Sequence, residues 1–122
     1  TAAKIAAVAV GQLVQRGCDI KSMYAALGPS AGPCCYEVDA DCAAAFAGFD
    51  DEQGPIVQAL PQPGKFIPDL WRANRLVLLE AGLQPQHISI GGLCTICHGE
   101  LFYSQRTQGD ARGAMSAVAM LR

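Results

Sequence analysis

The hydrophobic positions at the start of the chain follow the period of an α-helix. Residues 1–16 are rich in alanine, and the larger apolar residues among them fall at helical spacings: Ile5, Val8, Val10, Leu13 and Val14. Gly17 follows, and glycine is common just after the end of a helix. The small alanine side chains imply that this first helix packs closely against a sheet or another helix.

Two further helices are predicted downstream. Asp39 is a suitable N-cap for a short helix over residues 40–47. Pro68 suits the first turn of a third helix, Asp69 is favourable near its N-terminal dipole, and Gly82 ends it. The apolar face of this third helix consists of Leu70, Ala73, Val77 and Ala81.

Short strands are predicted between the helices. Residues 23–27 form an apolar run typical of a buried strand, and residues 36–38 predict a short extended segment. Residues 87–90 alternate between polar and apolar positions, which predicts another strand. We also expect an extended segment at residues 101–104 and a closing strand over residues 114–121.

Helices that alternate with short strands indicate an α+β domain. We predict a layered α/β/β/α-type sandwich with a mixed sheet, in which the helices lie outside the strands. Residues 49–64 contain several prolines, glycines and acidic residues, and they form the longest predicted loop. With 122 residues the chain fits a single domain.

Composition excludes several classes of protein. Hydrophobic residues make up 51% and charged residues 16% of the chain, which is not the composition of a disordered segment. No apolar run approaches the roughly 20 residues that cross a bilayer, and no signal-peptide pattern is present. A net charge of -2 gives no basic surface for nucleic acid. We therefore expect a cytoplasmic protein that binds neither nucleic acid nor a membrane.

The chain contains six cysteines, namely Cys18, Cys34, Cys35, Cys42, Cys94 and Cys97. A chain of this size with many apolar residues does not need disulfides to fold. We expect reduced thiols, with Cys18 and Cys42 packed as small apolar groups.

The segment at residues 28–38 is unusually constrained. The pairs Gly28-Pro29 and Gly32-Pro33 bracket a Ser-Ala step, and Cys34-Cys35 follows. Each proline fixes its own φ and pushes the preceding residue towards extended geometry, while glycine tolerates angles closed to other residues. The pattern predicts a stiff loop whose main-chain N–H groups are accessible to a ligand or to another segment. A tight connection between two strands is the simpler interpretation.

A second candidate site is Cys94-Thr95-Ile96-Cys97-His98, which has the C-x-x-C-H spacing of c-type haem attachment. In that chemistry His98 would ligate the iron. The two cysteines also have the spacing of a zinc knuckle, with Cys34 or Cys35 completing the ligand set. A turn with packed thiols is a further alternative, and so is nucleophilic catalysis by Cys34 or Cys35 with His98 as the base.

Two arginines lie in a polar segment near the end of the chain. Arg106 and Arg112 flank Gly109-Asp110, and their guanidinium groups suit a phosphate or a carboxylate. Solvated surface arginines are an equally good interpretation. The chain has no phosphate-binding loop of the nucleotide-binding types.

Three segments resemble motifs of one family and occur in the same order. They are residues 27–38, 65–75 and 94–106. These are the Gly-Pro-x-Ile-Gly-Pro-Cys-Cys-Tyr-Glu-Val signature, the Leu-Asp-Leu-x-x-Ala-Asn helix start and the Cys-Thr … Phe-Phe-Ser-Tyr-Arg-Arg stretch of the YfiH-type laccase-domain proteins. This family is also called polyphenol oxidase or purine nucleoside phosphorylase-like. Where it usually has Tyr-Arg-Arg-Asp, this chain has Gln105-Arg106-Thr107-Gln108, so the second arginine is missing.

The resemblance implies phosphorolysis of purine nucleosides, adenosine deamination and copper-dependent polyphenol oxidation. The implied ligands are purine nucleosides and phosphate, and the implied cofactor is zinc or copper held by two histidines and a cysteine. None of these three metal ligands maps onto this sequence. The resemblance therefore implies the C-terminal half of a family protein, with the catalytic metal ligands upstream of Thr1.

From this resemblance we expect Gly32, Cys34, Cys35 and Arg106 to line a substrate pocket, and we assign no catalytic residue. We expect the isolated chain to be inactive and to contain no metal. An apolar face behind the first helix would then favour self-association or pairing with the missing N-terminal portion.

Overall fold

A computed structural model describes residues 1–120, which contain four helices and seven short strands. The helices are α1 (Ile5–Gln15), α2 (Ala40–Ala44), α3 (Leu70–Glu80) and α4 (Gln105–Gln108). The strands are β1 (Ala25–Leu27), β2 (Val38–Asp39), β3 (Asp50–Asp51), β4 (Gly54–Pro55), β5 (Val57–Ala59), β6 (Lys65–Pro68) and β7 (Ile88–Ile90). Single 3-10 turns lie at Ile20–Ser22, Pro85–His87 and Gly109–Ala111.

The strands of the described residues pair in three small sheets. β1 and β7 run parallel, with Ala26 opposite Ser89. β6 lies between β2 and β5 and is antiparallel to both, and β3 and β4 form an antiparallel hairpin. The α+β class is therefore confirmed. Parallel and antiparallel pairing both occur, as expected for a mixed sheet, but they are distributed over separate small sheets.

The hydrophobic core lies around α3. One buried cluster consists of Phe46, Phe49, Ile56, Ala73 and Val77. A second cluster consists of Val10, Leu78 and Leu83. Ala6 of α1 packs against both clusters, and α1 lies against α3. The close packing predicted from the alanines of the first helix is thus confirmed.

Much of the apolar surface of α1 is nevertheless open to solvent. Val10 is the buried residue of this helix, whereas Ile5 is 64% and Val8 50% exposed. Leu13 and Val14 are also exposed. In the described chain, α1 therefore presents apolar residues on a side that nothing covers.

The ends of α1 and α3 follow the sequence signals with one correction, whereas α2 ends at Ala44 rather than at the predicted residue 47 and the Asp39 side chain does not cap it. Gly17 after α1 and Gly82 after α3 both adopt positive φ, at 91° and 101°. Asp69 caps α3, because its carboxylate accepts hydrogen bonds from the backbone N–H groups of the next helical residues. We predicted Pro68 in the first turn of this helix, and that prediction is wrong. Pro68 is the last residue of β6 and lies opposite Val57.

The predicted loop at residues 49–64 contains the β3–β4 hairpin and β5. Its apolar residues Phe49 and Ile56 are 5% and 1% exposed, so they anchor the segment in the core. The prediction missed this because glycines and prolines in very short strands resemble loop residues.

Other expectations also differ from the structure. Residues 101–104 form a turn, a bend and irregular backbone rather than a strand, and residues 114–120 contain no strand. Residue 121, the end of the predicted closing strand, lies outside the described residues. Cys18 and Cys42 are exposed and therefore do not pack as buried apolar groups. Among residues 1–120, no helix has both the length and the hydrophobicity to span a bilayer.

An ion pair joins the β3–β4 hairpin to α3. Arg72 on α3 binds both carboxylate oxygens of Asp51, and its Nη2 also donates to the carbonyl of Gly54 at 2.9 Å. The Arg72 side chain is 20% exposed and that of Asp51 is 24% exposed, so solvent screens the pair only in part.

Replacing Asp51 with asparagine should destabilise the protein at neutral pH, and the difference should vanish in acid. The hydrogen bond from Arg72 holds the pKa of Asp51 below its ordinary value of 3.8. The stabilisation is therefore fully present above the pKa of the unfolded chain and is lost as the pH falls through the lower folded pKa. Urea unfolding between about pH 7 and pH 2 measures this. The exposed neighbour Asp50 provides the control, since it does not bind Arg72 and Asp50→Asn should change the free energy of unfolding little at neutral pH.

Candidate functional site

Two cysteine-containing segments meet at one end of the β1–β7 pair. Because these strands are parallel, the chain leaves both at the same edge and continues side by side. The Ser30 N–H donates to the carbonyl of Leu93 at 3.1 Å, and the Thr95 N–H donates to the carbonyl of Ser30 at 3.0 Å. This pairing brings residues 34–35 next to residues 94–97.

The side chains of Cys34, Cys35, Cys94 and Cys97 form a four-thiol cluster. Their sulfur atoms all lie within 4.8 Å of one another. Cys97 Sγ is 3.2 Å from the sulfur of Cys35 and 3.5 Å from that of Cys34. Cys94 is buried, Cys35 is half-buried, and the other two are exposed. All four are free thiols.

Cys94 carries the most acidic thiol of the cluster. Burial disfavours its thiolate, but backbone N–H groups of Cys97, Gly32 and Ile96 donate towards its sulfur and bring its pKa down to about 6. The Gly32 nitrogen lies 3.3 Å from this sulfur. The pKa of Cys34 is raised, first by burial and then by its hydrogen bond with Cys97. The cluster therefore concentrates negative charge on its buried member.

The Gly-Pro loop packs against the side chain of Trp71, at the start of α3. Trp71 Nε1 donates to Ser30 Oγ at 2.8 Å. A Cβ on Gly32 would lie 2.7 Å from Trp71 Cη2 and 3.2 Å from Cys94 Cβ. Gly32 does not have a positive φ, so it is required for close approach rather than for an unusual backbone angle.

The backbone of this loop is engaged within the protein. The Gly32 N–H points at Cys94, and the N–H groups of Cys35 and Tyr36 both donate to the Gly32 carbonyl. The expectation that these N–H groups are accessible to a ligand or to another segment therefore holds for Gly32, which donates to another segment, and is wrong for Cys35 and Tyr36, which donate within the loop. The loop positions the thiols of Cys34 and Cys35, and these backbone N–H groups are not free to bind a ligand.

Arg106 contacts the segment that follows the loop. Its Nη1 donates to the Glu37 carbonyl at 2.8 Å, and its guanidinium carbon lies 5.1 Å from the centre of the Tyr36 ring. Ser104 caps the short helix α4 and so positions Arg106. Arg112 is exposed, and its guanidinium makes no hydrogen bond with residues 1–120.

Neither histidine joins the thiols. His87 stacks on Tyr24 at 4.0 Å, and its Nδ1 lies 3.2 Å from the Met23 carbonyl. His98 Nδ1 lies 3.4 Å from the carboxylate of Glu100. The group of potential metal ligands found among residues 1–120 consists of four cysteines, namely Cys34, Cys35, Cys94 and Cys97. The described residues therefore do not fit the two-histidine, one-cysteine metal set that the resemblance implies.

A family model described as "Multi-copper polyphenol oxidoreductase laccase" matches residues 1–122. Purine nucleoside phosphorylase YlmD from Geobacillus stearothermophilus is 38% identical over 95 residues, which cover 78% of this chain and 35% of that protein. Adenosine deaminase RL5 from an unknown prokaryotic organism is 33% identical over 113 residues, which cover 93% of this chain and 43% of that protein.

Two solved structures have the same fold. The crystal structure of Geobacillus stearothermophilus YlmD superposes with a TM-score of 0.74 at 35% identity, covering 86% of this chain and 39% of that one. The Bacillus licheniformis hypothetical protein YfiH superposes with a TM-score of 0.77 at 31% identity, covering 86% of this chain and 40% of that one. The chain thus spans well under half the length of these relatives. The match of the family model along the whole chain shows that it belongs to the multi-copper polyphenol oxidoreductase laccase family.

Proposed function

We propose that this chain is the C-terminal half of a purine nucleoside enzyme. The proposed reactions are phosphorolysis of adenosine- and inosine-type nucleosides and deamination of adenosine, in a family that is also described as copper-dependent polyphenol oxidases. One observation carries the proposal, which is that most of the chain is similar to proteins named purine nucleoside phosphorylase and adenosine deaminase. The ligands would be a purine nucleoside and phosphate.

Arg106 is the residue of this chain best suited to bind an anionic group. A guanidinium has five N–H donors, and the Glu37 carbonyl accepts from only one amino group. Packing against the Tyr36 ring limits its motion, which reduces the entropy lost when it binds. We propose that Arg106 orients phosphate or the nucleoside, beside a pocket wall formed by Gly32, Cys34 and Cys35.

The family implies a catalytic zinc or copper, which would activate water or polarise a leaving group. Such an ion needs about three protein ligands and an open position. The described residues contain no histidine-bearing set of this kind. We therefore propose that those ligands come from another part of a longer protein, and we assign this chain no step in the metal's chemistry.

The exposed apolar side of α1 fits the same proposal. Ile5 and Val8 are at least half exposed on a helix that otherwise packs on the core. This chain corresponds to about two fifths of the length of its relatives. In a longer protein of that kind, the remaining residues could pack against this surface. We place the protein in the cytoplasm, where a reducing environment keeps clustered thiols free.

Replacing Arg106 with alanine in the full-length enzyme should lower kcat/KM for nucleoside phosphorolysis by about tenfold or more, through loss of a charge-assisted contact. The assay follows base release from inosine and adenosine in phosphate, and inosine formation from adenosine. Arg112→Ala is the matched control and should change kcat/KM little. This chain alone, with zinc or copper added, serves as the inactive reference.

Three results would contradict these assignments. Equal, small effects of Arg106→Ala and Arg112→Ala would reject the role of Arg106. Turnover by this chain alone would reject the proposal that it contains only part of the site. A full-length enzyme that oxidises phenols but leaves nucleosides unchanged would reject nucleoside chemistry and favour the oxidase.

A further inference from the structure

The proposed nucleoside chemistry gives Cys34 and Cys35 a place in the pocket wall, but it assigns no chemical role to the four-thiol cluster as a unit. A zinc ion bound by four thiolates has Zn–S distances of about 2.3 Å in tetrahedral geometry, which separates the sulfurs by about 3.8 Å. In this structure the four sulfurs lie within 4.8 Å of one another, and two of the separations are 3.2 Å and 3.5 Å. Two sulfur–sulfur separations are thus slightly shorter than zinc needs, and none exceeds the zinc value by more than about 1 Å.

We propose that Cys34, Cys35, Cys94 and Cys97 bind one structural zinc ion, which joins the Gly-Pro loop to the turn at residues 94–98. Thiolates are soft ligands that select zinc over magnesium or calcium. Four protein ligands fill a tetrahedral zinc and leave no open position, so the ion stabilises structure and does not activate water.

The backbone around the cluster supports a bound cation and its thiolates. The Gly32 N–H lies 3.3 Å from Cys94 Sγ, and the His98 N–H donates to the Cys94 carbonyl at 3.1 Å to close the turn. Donors of this kind orient a sulfur ligand and offset part of its negative charge. The absence of a side chain at Gly32 permits this approach, because a Cβ there would contact Cys94 and Trp71.

The binding step exchanges protons for zinc. As each Zn–S bond forms, a thiol that still carries its proton releases it to solvent, and no electrons are transferred.

Haem attachment and disulfide formation would each use fewer of the four thiols. Haem would need His98, which faces Glu100, and a disulfide would use only two of the four sulfurs. The zinc site depends on the cluster alone and stands whether or not nucleoside turnover is found.

The first test is the metal content of the full-length protein, purified under reducing conditions and supplied with zinc. Elemental analysis should find one zinc per four-thiol cluster in addition to any catalytic metal. Replacement with cobalt should give the visible bands of tetrahedral cobalt together with intense sulfur-to-metal charge-transfer absorption.

The matched variants are Cys97→Ser and Cys42→Ser, since both cysteines are exposed but only Cys97 belongs to the cluster. Cys97→Ser should lower the cobalt–thiolate absorption, weaken zinc binding by at least about tenfold and lower the melting temperature. Cys42→Ser should match the unmodified protein in all three measurements. Circular dichroism establishes that each variant is folded.

The proposal is overturned by any of three outcomes. One is a folded, reduced protein in which these four thiols bind no zinc and react as free groups. Another is a Cys97→Ser variant that keeps both its zinc and its cobalt spectrum. The last is a disulfide among the four cysteines, or copper or iron in place of zinc, in protein that was kept reduced.

Discussion

Replacing Ile56 with alanine should destabilise the protein by about 2–5 kcal/mol. Ile56 is 1% exposed and lies in the cluster that contains Phe46, Phe49 and Val77, beneath α3. Alanine would remove buried methyl and methylene groups and leave a cavity that the surrounding aromatic rings fill only in part. Urea unfolding gives the change in the free energy of unfolding.

Exposed Ile5 provides the control for this experiment. It is 64% exposed in this chain, so Ile5→Ala should change the free energy of unfolding of the chain alone by less than about 0.5 kcal/mol. Ile56→Val should fall between the two, at about 0.5–1.5 kcal/mol. If Ile56→Ala and Ile5→Ala were equally mild, residues 49–64 would be the loose loop that their composition indicates.

The elements that the sequence predicts best are those with a clear period and a clear end. α3 shows an apolar face every three or four residues, and α1 is marked by its alanines. Gly17 and Gly82 mark the helix ends because each takes a positive φ. These signals are local, since both the period and the terminating glycine lie within the same short segment.

Signals that depend on distant partners are not predictable in this way. Asp39 is a good N-cap by residue type, but its carboxylate makes no cap and instead binds Lys65 Nζ at 2.8 Å. Phe49 and Ile56 lie in a segment rich in glycine, proline and acidic residues, and packing against Phe46 and α3 is what buries them. Arg72 reaches the β3–β4 hairpin from about 20 residues away in sequence.

The four-thiol cluster shows the same limit. The sequence shows a C-x-x-C pair and an adjacent Cys34-Cys35 pair, and one further ligand was expected from the latter rather than two. Cys34 and Cys97 are 63 residues apart in sequence, and parallel pairing of β1 with β7 brings the two pairs together. A signal was available, because each pair follows a predicted strand, at residues 23–27 and 87–90. The direction in which those strands pair was not encoded in either segment alone.

Replacing Gly32 with alanine should destabilise the protein by about 1–3 kcal/mol, the usual cost of adding an atom to a packed site. The new Cβ would lie 2.7 Å from Trp71 Cη2 and 3.2 Å from Cys94 Cβ. The Trp71 ring is held by its hydrogen bond to Ser30, so moving it aside sacrifices that contact. Urea unfolding measures the cost, and Gly28→Ala is the matched control. Gly28 also precedes a proline, yet a Cβ there would meet no atom within 4 Å.

A double-mutant cycle identifies Trp71 as the source of the cost. Phenylalanine at this position lacks the outer ring carbons that clash, although it also loses the hydrogen bond to Ser30. Gly32→Ala should therefore cost less in the Trp71→Phe background than in the unmodified protein, because the two residues are in contact and their effects are coupled. Additive effects would show that Trp71 is not the obstacle. Equal losses of stability from Gly32→Ala and Gly28→Ala would show that the cost comes from adding a Cβ to a residue that precedes a proline, and not from the close approach of Trp71 and Cys94.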